Sequence, residues 1–504
     1  MFLIKLLAMI AAALLCPFFV SSISDGIADF ADNVNAVTDE NIGTTEKSGN
    51  EITAAQENWF KENKPTGVNP ANVSDFTFTE YTYKDGIEIK GYGVKEYIGS
   101  SKEVVIPAEY NGKFVIAVDR EAFKGKDITS VTLPKSTLCI GTSAFRECKY
   151  LENINLPENL QKIDGGAFAD CKSLSSLNLG KNIKYLGDKA FHGCTLLKDV
   201  QITGGVSPLV IKEYCFGECT ALEKVTISDY TEVLGQGAFS NCKALTYFTL
   251  IETEKEISIE THKYVFENCE SLKSIDASHF KNIDNDVFHG CTALETVILP
   301  DNMESINGGA FMNCVSLKYI TLPDSLTTLG THAFSGCTSL TTINIPSSLT
   351  QFSEAVFKDS GITEIYIPSS ISYVGRNAFE NCTNLTKIEF ADEGEKLTTD
   401  FCAFRNTGIT ELILPGRVTA VGNQSFISCA NLKKVVYKSS GAAFADQNIE
   451  FKAFSETPLE EIHIPATVDK IDESALPRET TIYCPAGSNA ESWAKQYEVN
   501  YVTE

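Results

Sequence analysis

The feature that most constrains this chain is a phenylalanine that returns at a nearly fixed interval along most of its 504 residues. Most of these phenylalanines follow an alanine, and most successive ones lie 22 or 23 residues apart. Length alone would suggest three or four domains. Self-similarity at this period predicts one stacked array of repeats instead. The phenylalanines lie at Phe123, Phe145, Phe168, Phe191, Phe216, Phe239, Phe266, Phe288, Phe311, Phe334, Phe357, Phe379, Phe404, Phe426 and Phe454.

The repeat at residues 151–173 shows how one coil is built. Ile154 and Leu156 alternate with an outward Asn155, as in a short β-strand. Pro157 then ends the strand, because it has no N–H to donate. The Ala-Phe pair closes the coil, since alanine lets the backbone come close while phenylalanine fills the centre. One such coil has apolar residues on its inner side only, so it needs a neighbour above and below to bury them.

The period in the twenties, with Leu-x-x-Ile-x-Leu at its head, is a leucine-rich-repeat signature. The predicted fold is an α/β repeat solenoid, a right-handed leucine-rich-repeat coil with parallel β-strands and about fifteen repeats of 22–28 residues. The pattern resembles the BspA-like leucine-rich-repeat family, whose coils read roughly Leu-x-x-Ile-x-Ile-Pro-x-x-Val-x-x-Ile-Gly-x-x-Ala-Phe-x-x-Cys. Residues 319–337 nearly match that pattern, and the resemblance extends over about 76–504.

The N-terminal residues are typical of exported proteins. Lys5 and the apolar run after it predict a signal peptide over 1–22. Lipidation at Cys16 is the alternative, although the bulky Leu15 before it does not suit a lipoprotein signal. Residues 23–75 are acidic and poor in apolar groups, which predicts a disordered spacer.

The remaining boundaries follow from the resemblance. It implies an N-terminal hairpin cap over 76–122, leucine-rich repeats over 123–476 and a C-terminal cap over 477–504. Four coils are longer than the rest, and each insertion follows the predicted strand, so all four are expected at one edge of the solenoid. They span 204–208, 252–263, 391–402 and 439–451.

Eleven of the 16 cysteines occupy one position, three residues after the repeated phenylalanine. This regularity predicts small, buried packing residues with free thiols. A disulfide ladder is the alternative in an exported protein, but stacked equivalents have Cβ atoms about 4.8 Å apart, beyond the roughly 3.8 Å of a typical bridge. The eleven are Cys148, Cys171, Cys194, Cys219, Cys242, Cys269, Cys291, Cys314, Cys337, Cys382 and Cys429.

Neither the charge nor the motifs favour catalysis or nucleic-acid binding. A formal net charge of −24 argues against a phosphate backbone or an anionic membrane as partner. The sequence contains no Gly-x-Ser-x-Gly elbow, no phosphate loop and no His-Glu-x-x-His motif. The six histidines are scattered surface turn residues by their place in the coil. We therefore predict a protein that is not an enzyme, with no cofactor, no metal and no membrane-spanning segment.

The outward residues of the predicted strands form rows rich in Asn, Thr, Ser and Tyr. Such rows offer hydrogen bonds and aromatic contacts to a protein or a glycan, although Thr and Tyr are also simply good strand formers. The candidate ligand-binding residues are Tyr247, Tyr319, Tyr366, Asn155, Asn178 and Asn344.

The resemblance implies a secreted or cell-surface binding protein. The first hypothesis is an adhesin-like protein that attaches to proteins of host or neighbouring cells. The second is a module that binds extracellular polysaccharide or holds other secreted proteins. Both place the partner outside the cell, as an extracellular protein or glycan.

Overall fold

The computed structural model describes residues 72–504 apart from 85–87, 204, 206, 253–256 and 440–446. The predicted signal peptide, Cys16 and nearly all of the predicted spacer lie outside these residues. The described residues form a parallel β-solenoid with two strands in most coils. The predicted repeat solenoid is therefore confirmed.

The first strand of each coil is the one that the alternating residues predict, and we call these strands row 1. They stack in parallel register, with residues such as Thr296 opposite Tyr319 in the next coil. Row 1 has no strand at 342–345, so the sheet is interrupted there. Row 1 comprises Glu103–Val105, Ser130–Thr132, Asn153–Asn155, Ser176–Leu179, Asp199–Ile202, Lys224–Ser228, Tyr247–Ile251, Ser274–Asp276, Thr296–Ile298, Tyr319–Ile320, Glu364–Ile367, Lys387–Phe390, Glu411–Leu414, Lys434–Tyr437, Glu461–His463, Thr481–Cys484 and Tyr501–Thr503.

A second strand in most coils, which we call row 2, was not expected from the sequence. Many of its strands are two residues long and have one buried side chain each, so they show no alternation that a pattern search would detect. Row 2 comprises Lys113–Val118, Cys139–Ile140, Lys162–Ile163, Tyr185–Leu186, Leu209–Ile211, Thr231–Leu234, Glu260–Thr261, Ser305–Ile306, Thr328–Leu329, Gln351–Phe352, Tyr373–Val374, Leu397–Thr399, Val418–Val421, Gln447–Ile449 and Val468–Ile471.

Row 2 begins at an antiparallel hairpin in the region of the predicted N-terminal cap. After a 3₁₀ turn at Val73–Asp75, strand Phe76–Lys84 pairs with Glu88–Tyr97. The second hairpin strand then pairs in parallel with Lys113–Val118, which also pairs with the short strand Glu109–Tyr110. The hairpin thus supplies the hydrogen bonds that a preceding coil would otherwise supply.

The repeated phenylalanines form one continuous column of stacked rings through the core. Centroids of successive rings are 4.8 Å apart at the closest pair and 5.8 Å at the widest, and most planes are nearly parallel. Each phenylalanine N–H donates to the carbonyl of the residue before the next phenylalanine, as from Phe311 to Ala333 at 2.9 Å. The small residue before each ring is therefore a backbone contact point as well as a spacer.

Each ring is flanked by two residues with left-handed backbone conformation, two positions before and two positions after it. Around Phe311 these are Gly309 and Asn313, with φ of 63° and 60°. Glycine, asparagine and aspartate tolerate this conformation best. Other coils place Glu147 or Lys189 there, at a penalty of roughly 1–2 kcal/mol for each such residue. The ladder of backbone hydrogen bonds holds the turn against that strain.

The C-terminal end is covered by a short helix, Asn489–Gln496. The Ser488 side chain accepts a hydrogen bond from the Glu491 N–H at its start. Ala490 and Trp493 bury the inner face of the helix against the last coil. This is the α-helical component of the fold within the described residues. None of the helical segments described is both long and apolar enough to cross a bilayer.

Candidate binding face

The cysteine ladder has a specific hydrogen-bonding role. Each of the eleven thiols is buried and donates to the backbone carbonyl of the phenylalanine one coil earlier. Cys314 Sγ, for example, lies 3.1 Å from Phe288 O. The sequence indicated a packing residue, whereas the structure shows a donor that satisfies a buried carbonyl.

Three of the four coils without the cysteine have a short hydroxyl residue in its place, and the coil of Phe123 has Lys126 there. Ser360 Oγ lies 3.3 Å from Cys382 Sγ, and Thr407 Oγ1 lies 3.2 Å from Cys429 Sγ. Thr457 Oγ1 donates to Phe454 O of its own coil. The position is therefore usually filled by a small side chain that forms a hydrogen bond.

Burial also lowers the chemical reactivity of these thiols. Desolvation raises the pKa of Cys148 and of Cys194 to about 12, and it raises the pKa of Cys314 as well. A protonated thiol is a poor nucleophile and a poor metal ligand. Within the described part of the chain, no three His, Cys, Asp or Glu side chains converge as a metal site would require.

The three candidate tyrosines lie on the outer surface of row 1. Tyr247 is 63% exposed, Tyr319 69% and Tyr366 54%. The next residue along each strand is buried in the core: Phe248, Ile320 and Ile367. The alternation of the strands therefore directs these three large aromatic side chains into solvent, where they make no contribution to the core.

The three candidate asparagines differ in what they do. Asn155 Oδ1 accepts from Leu133 N–H at 2.7 Å, and its Nδ2 donates to Leu133 O at 3.1 Å. Asn344 forms the same pair of bonds with Leu322. These two amides therefore link successive coils where strand pairing is missing or ends. Asn178 is exposed on strand Ser176–Leu179.

An open concavity on this surface lies between two row 1 strands. It has a volume of about 260 Å³ and is open to solvent. Its walls come from strand Thr296–Ile298, from Tyr319 and from the turn after each strand; the lining residues are Thr296, Val297, Ile298, Leu299, Asp301, Tyr319, Ile320, Thr321 and Pro323. We call it the Tyr319 pocket. The sequence identified Tyr319 but missed Ile298 and Asp301, because which side chains flank it depends on coil stacking.

Comparison with known families decides the relationship that the repeat indicates. The sequence model of the BspA type leucine-rich repeat region, in six copies, matches residues 116–246, 207–314, 259–386 and 356–482, well over half of the chain. The chain belongs to the BspA-type leucine-rich-repeat family. The resemblance drawn from the coil pattern is confirmed.

One solved structure supports the leucine-rich-repeat fold, and two more distant ones are also similar. A leucine-rich repeat protein from Bacteroides ovatus is 21% identical, covers 84% of this chain and 100% of its own, and has a TM-score of 0.56. A leucine rich cell surface protein from Faecalibacterium prausnitzii is 20% identical over 86% of this chain and 97% of its own, with a TM-score of 0.33. The pneumococcal vaccine antigen PcpA is 16% identical over 88% and 99%, with a TM-score of 0.38. No curated protein matches significantly.

One of the BspA-type coils departs from the pattern in a way that positions an edge insertion. Arg417 stands where neighbouring coils have Ser348 and Ser370, and it is 1% exposed. Its guanidinium donates to the carbonyls of Ile371, Ala391, Glu395, Ile367 and Pro368. The buried arginine therefore ties the insertion that begins at 391 to the coil before it.

Proposed function

We propose that this protein is an exported, adhesin-like BspA-type repeat protein that binds a protein partner on the outer face of row 1, from Tyr247 to Tyr366. The observation that carries the proposal is the set of three exposed tyrosines with the Tyr319 pocket between them. The family supports a protein-binding repeat module. Attachment to host or neighbouring cells is the more specific part of the proposal.

The physical basis is the combination of a rigid support and exposed amphipathic side chains. Each outward tyrosine stands on a strand whose next residue is locked in the core, so little conformational entropy is lost when a partner contacts it. Tyrosine is enriched among the residues that dominate binding energy at interfaces. The core does not need these three side chains to be aromatic.

Secretion or surface display is supported by the apolar N-terminal sequence over 1–22. The thiol ladder is compatible with an oxidising environment, because the buried thiols are kept protonated and away from solvent. A leucine-rich solenoid in this setting has a long surface available for partners.

The test is a variant in which Tyr247, Tyr319 and Tyr366 are all replaced by serine, assayed against a panel of extracellular-matrix proteins and a glycan array. Binding to the protein partner that the wild type selects should weaken by about 2 kcal/mol or more, roughly 30-fold. The free energy of unfolding should change little, because all three side chains are exposed.

Tyr150→Ser is the matched control, since Tyr150 is 57% exposed but lies in a turn outside row 1. It should leave binding unchanged. Unaltered binding by the triple variant would contradict the assignment of the binding site to the outer face of row 1. The edge insertions would then be the better candidate for the binding site. Selection of glycans alone by the wild type would favour the polysaccharide-binding alternative.

A further inference from the structure

The Tyr319 pocket combines an apolar wall with a single carboxylate. Ile298, 45% exposed, and Tyr319 form the wall, and Asp301 lies in the turn after the strand. Among the residues that line the pocket, Asp301 is the one acidic side chain, and none is basic. An apolar surface ending at one negative charge is complementary to a side chain with an apolar stem and a positive end.

The surroundings of the pocket add negative charge and little positive charge. Asp276 lies opposite Ile298 in the preceding coil, and Asp324 has the place of Asp301 in the next one. Within the described residues, no lysine or arginine forms an ion pair with Asp301 or Asp324. The neighbouring Lys318 is occupied by Glu295 at 2.9 Å.

We propose that the Tyr319 pocket receives a lysine or arginine side chain from an extended segment of the partner protein. The stem of that side chain packs on Ile298 and the ring of Tyr319, and its cationic group meets the Asp301 carboxylate. Three effects favour such a guest: burial of the methylene groups, attraction of the cation to the ring, and a charge-assisted hydrogen bond.

The same charges disfavour other ligands. An anionic side chain would face Asp276, Asp301 and Asp324, in a protein whose formal net charge is −24. A purely apolar side chain would desolvate Asp301 without giving it a partner, which is unfavourable. This inference rests on the proposed function, because it specifies which part of a protein partner the same face recognises.

The probe is an acetylated and amidated octapeptide of alternating valine and lysine, compared with the same peptide carrying glutamine in place of lysine. At 150 mM salt the lysine peptide should bind about tenfold more tightly than the glutamine peptide, measured by isothermal titration calorimetry. Asp301→Asn should reduce that preference by about tenfold, and Tyr319→Ser should weaken both peptides.

Glu158→Gln is the matched control for general attraction to an acidic protein. Glu158 follows Pro157 as Asp301 follows Pro300, but six coils nearer the N terminus. At about 4.8 Å per coil the separation is about 29 Å, well beyond the Debye length of about 8 Å. Glu158→Gln removes the same charge and should leave peptide binding unchanged.

Equal binding of the two peptides to the wild type would overturn the inference, as would equal losses in Asp301→Asn and Glu158→Gln. Either result leaves the proposed function to be judged by the tyrosine variants on the matrix-protein panel. Conversely, unchanged partner binding by the triple tyrosine variant would remove the proposed function even if the lysine peptide selects the pocket.

Discussion

Two stretches of the same strand face differ in what they expose. From Tyr247 to Tyr366, which we call the middle face, the outward residues are mostly Tyr, Thr, Ser, Asn and Ile. From Lys387 to His463, the C-terminal face, many are charged, and ion pairs join them, as between Lys434 and Glu461 at 2.6 Å. Charges that are already paired on a solvated face have less to offer a partner. The same row of strands therefore carries two different surfaces side by side, one largely uncharged with exposed tyrosines and one charged and ion-paired.

The two faces also differ beneath the surface. In the middle face every coil up to Cys337 has the ladder cysteine, whereas Ser360, Thr407 and Thr457 interrupt the ladder further on. The C-terminal face in addition has an edge insertion tied down by Arg417. The ladder cysteine is therefore continuous through most of the middle face and intermittent in the C-terminal part.

The largest expected change in the free energy of unfolding comes from removing one stacked phenylalanine ring beneath one of the two faces. Phe311→Ala should lower the free energy of unfolding by roughly 3–5 kcal/mol, because it leaves a cavity in a fully buried column. Each coil touches only its neighbours, so hydrogen-exchange protection should fall first around Thr296–Ile298 and Tyr319–Ile320.

Phe404→Ala is the counterpart beneath the C-terminal face. It should lower protection first around Lys387–Phe390 and Glu411–Leu414 and spare the middle face. An even loss of protection along the described chain in either variant would contradict independent behaviour of the two regions.

The next effect in size should come from Arg417→Met, which keeps the apolar stem but removes every donor. We expect a loss of roughly 2–3 kcal/mol, because several buried carbonyls lose their partner. Protection of the insertion after 391 should fall most. Chemical denaturation measures the loss of stability, and hydrogen exchange measures the protection of the insertion. Unaltered exchange in the insertion would show that Arg417 does not hold it in place.

A smaller change in stability should distinguish the two possible roles of the ladder cysteines, packing and hydrogen-bond donation. Cys314→Ala leaves Phe288 O without a donor and should lower the free energy of unfolding by roughly 1–2 kcal/mol. Cys314→Ser keeps a small side chain with a hydroxyl donor and should lower it less. If urea denaturation shows the same loss of stability in both variants, the side chain at this position acts by packing and not as a hydrogen-bond donor.

The same protein tests whether the thiols are free. Labelling with a thiol reagent should be negligible in the native state, since the thiols are buried. It should become extensive in denaturant without reductant. Resistance to labelling after denaturation would mean that the ladder is bridged.

The smallest effect should come from Asp119, which belongs to neither face and serves as a reference. Burial raises its pKa to about 6, and Oδ1 has no hydrogen-bond partner among the described residues. Because the folded-state pKa lies above the unfolded value of about 4, the contribution of Asp119 to stability is largest below about pH 4 and is lost as pH rises through about 6. Asp119→Asn should therefore stabilise the protein by about 1 kcal/mol at pH 7 and change it little at pH 4, by urea denaturation. An equal effect at both values would contradict titration as the cause.

The sequence was sufficient to predict the solenoid, because one coil cannot bury Ile154 or Phe168 alone and the period repeats these residues. It also predicted the outward tyrosines, since strand alternation fixes their side. It did not predict row 2, because many of its strands are only two residues long and show no alternation. Nor did it predict the burial of Arg417, because a charged residue at a polar turn position is normally exposed.

The candidate site was predictable only in part, for a related reason. Asn155 and Asn344 look identical to ligand-binding amides until the neighbouring coil supplies Leu133 and Leu322 as partners. The pocket beside Tyr319 is formed by two successive coils together. Contacts between residues that the chain separates by a full coil are not visible in a single repeat.

The continuous ring column has a consequence for how such proteins diversify. Every ring meets an equivalent ring on each side, so the duplication or deletion of one whole coil replaces each contact with another of the same kind. Copy number can therefore drift while the core stays intact. Apart from residues that link coils, such as Asn155 and Asn344, the outward residues of a duplicated coil are not needed by the core, so they can change and give new surface without a new fold.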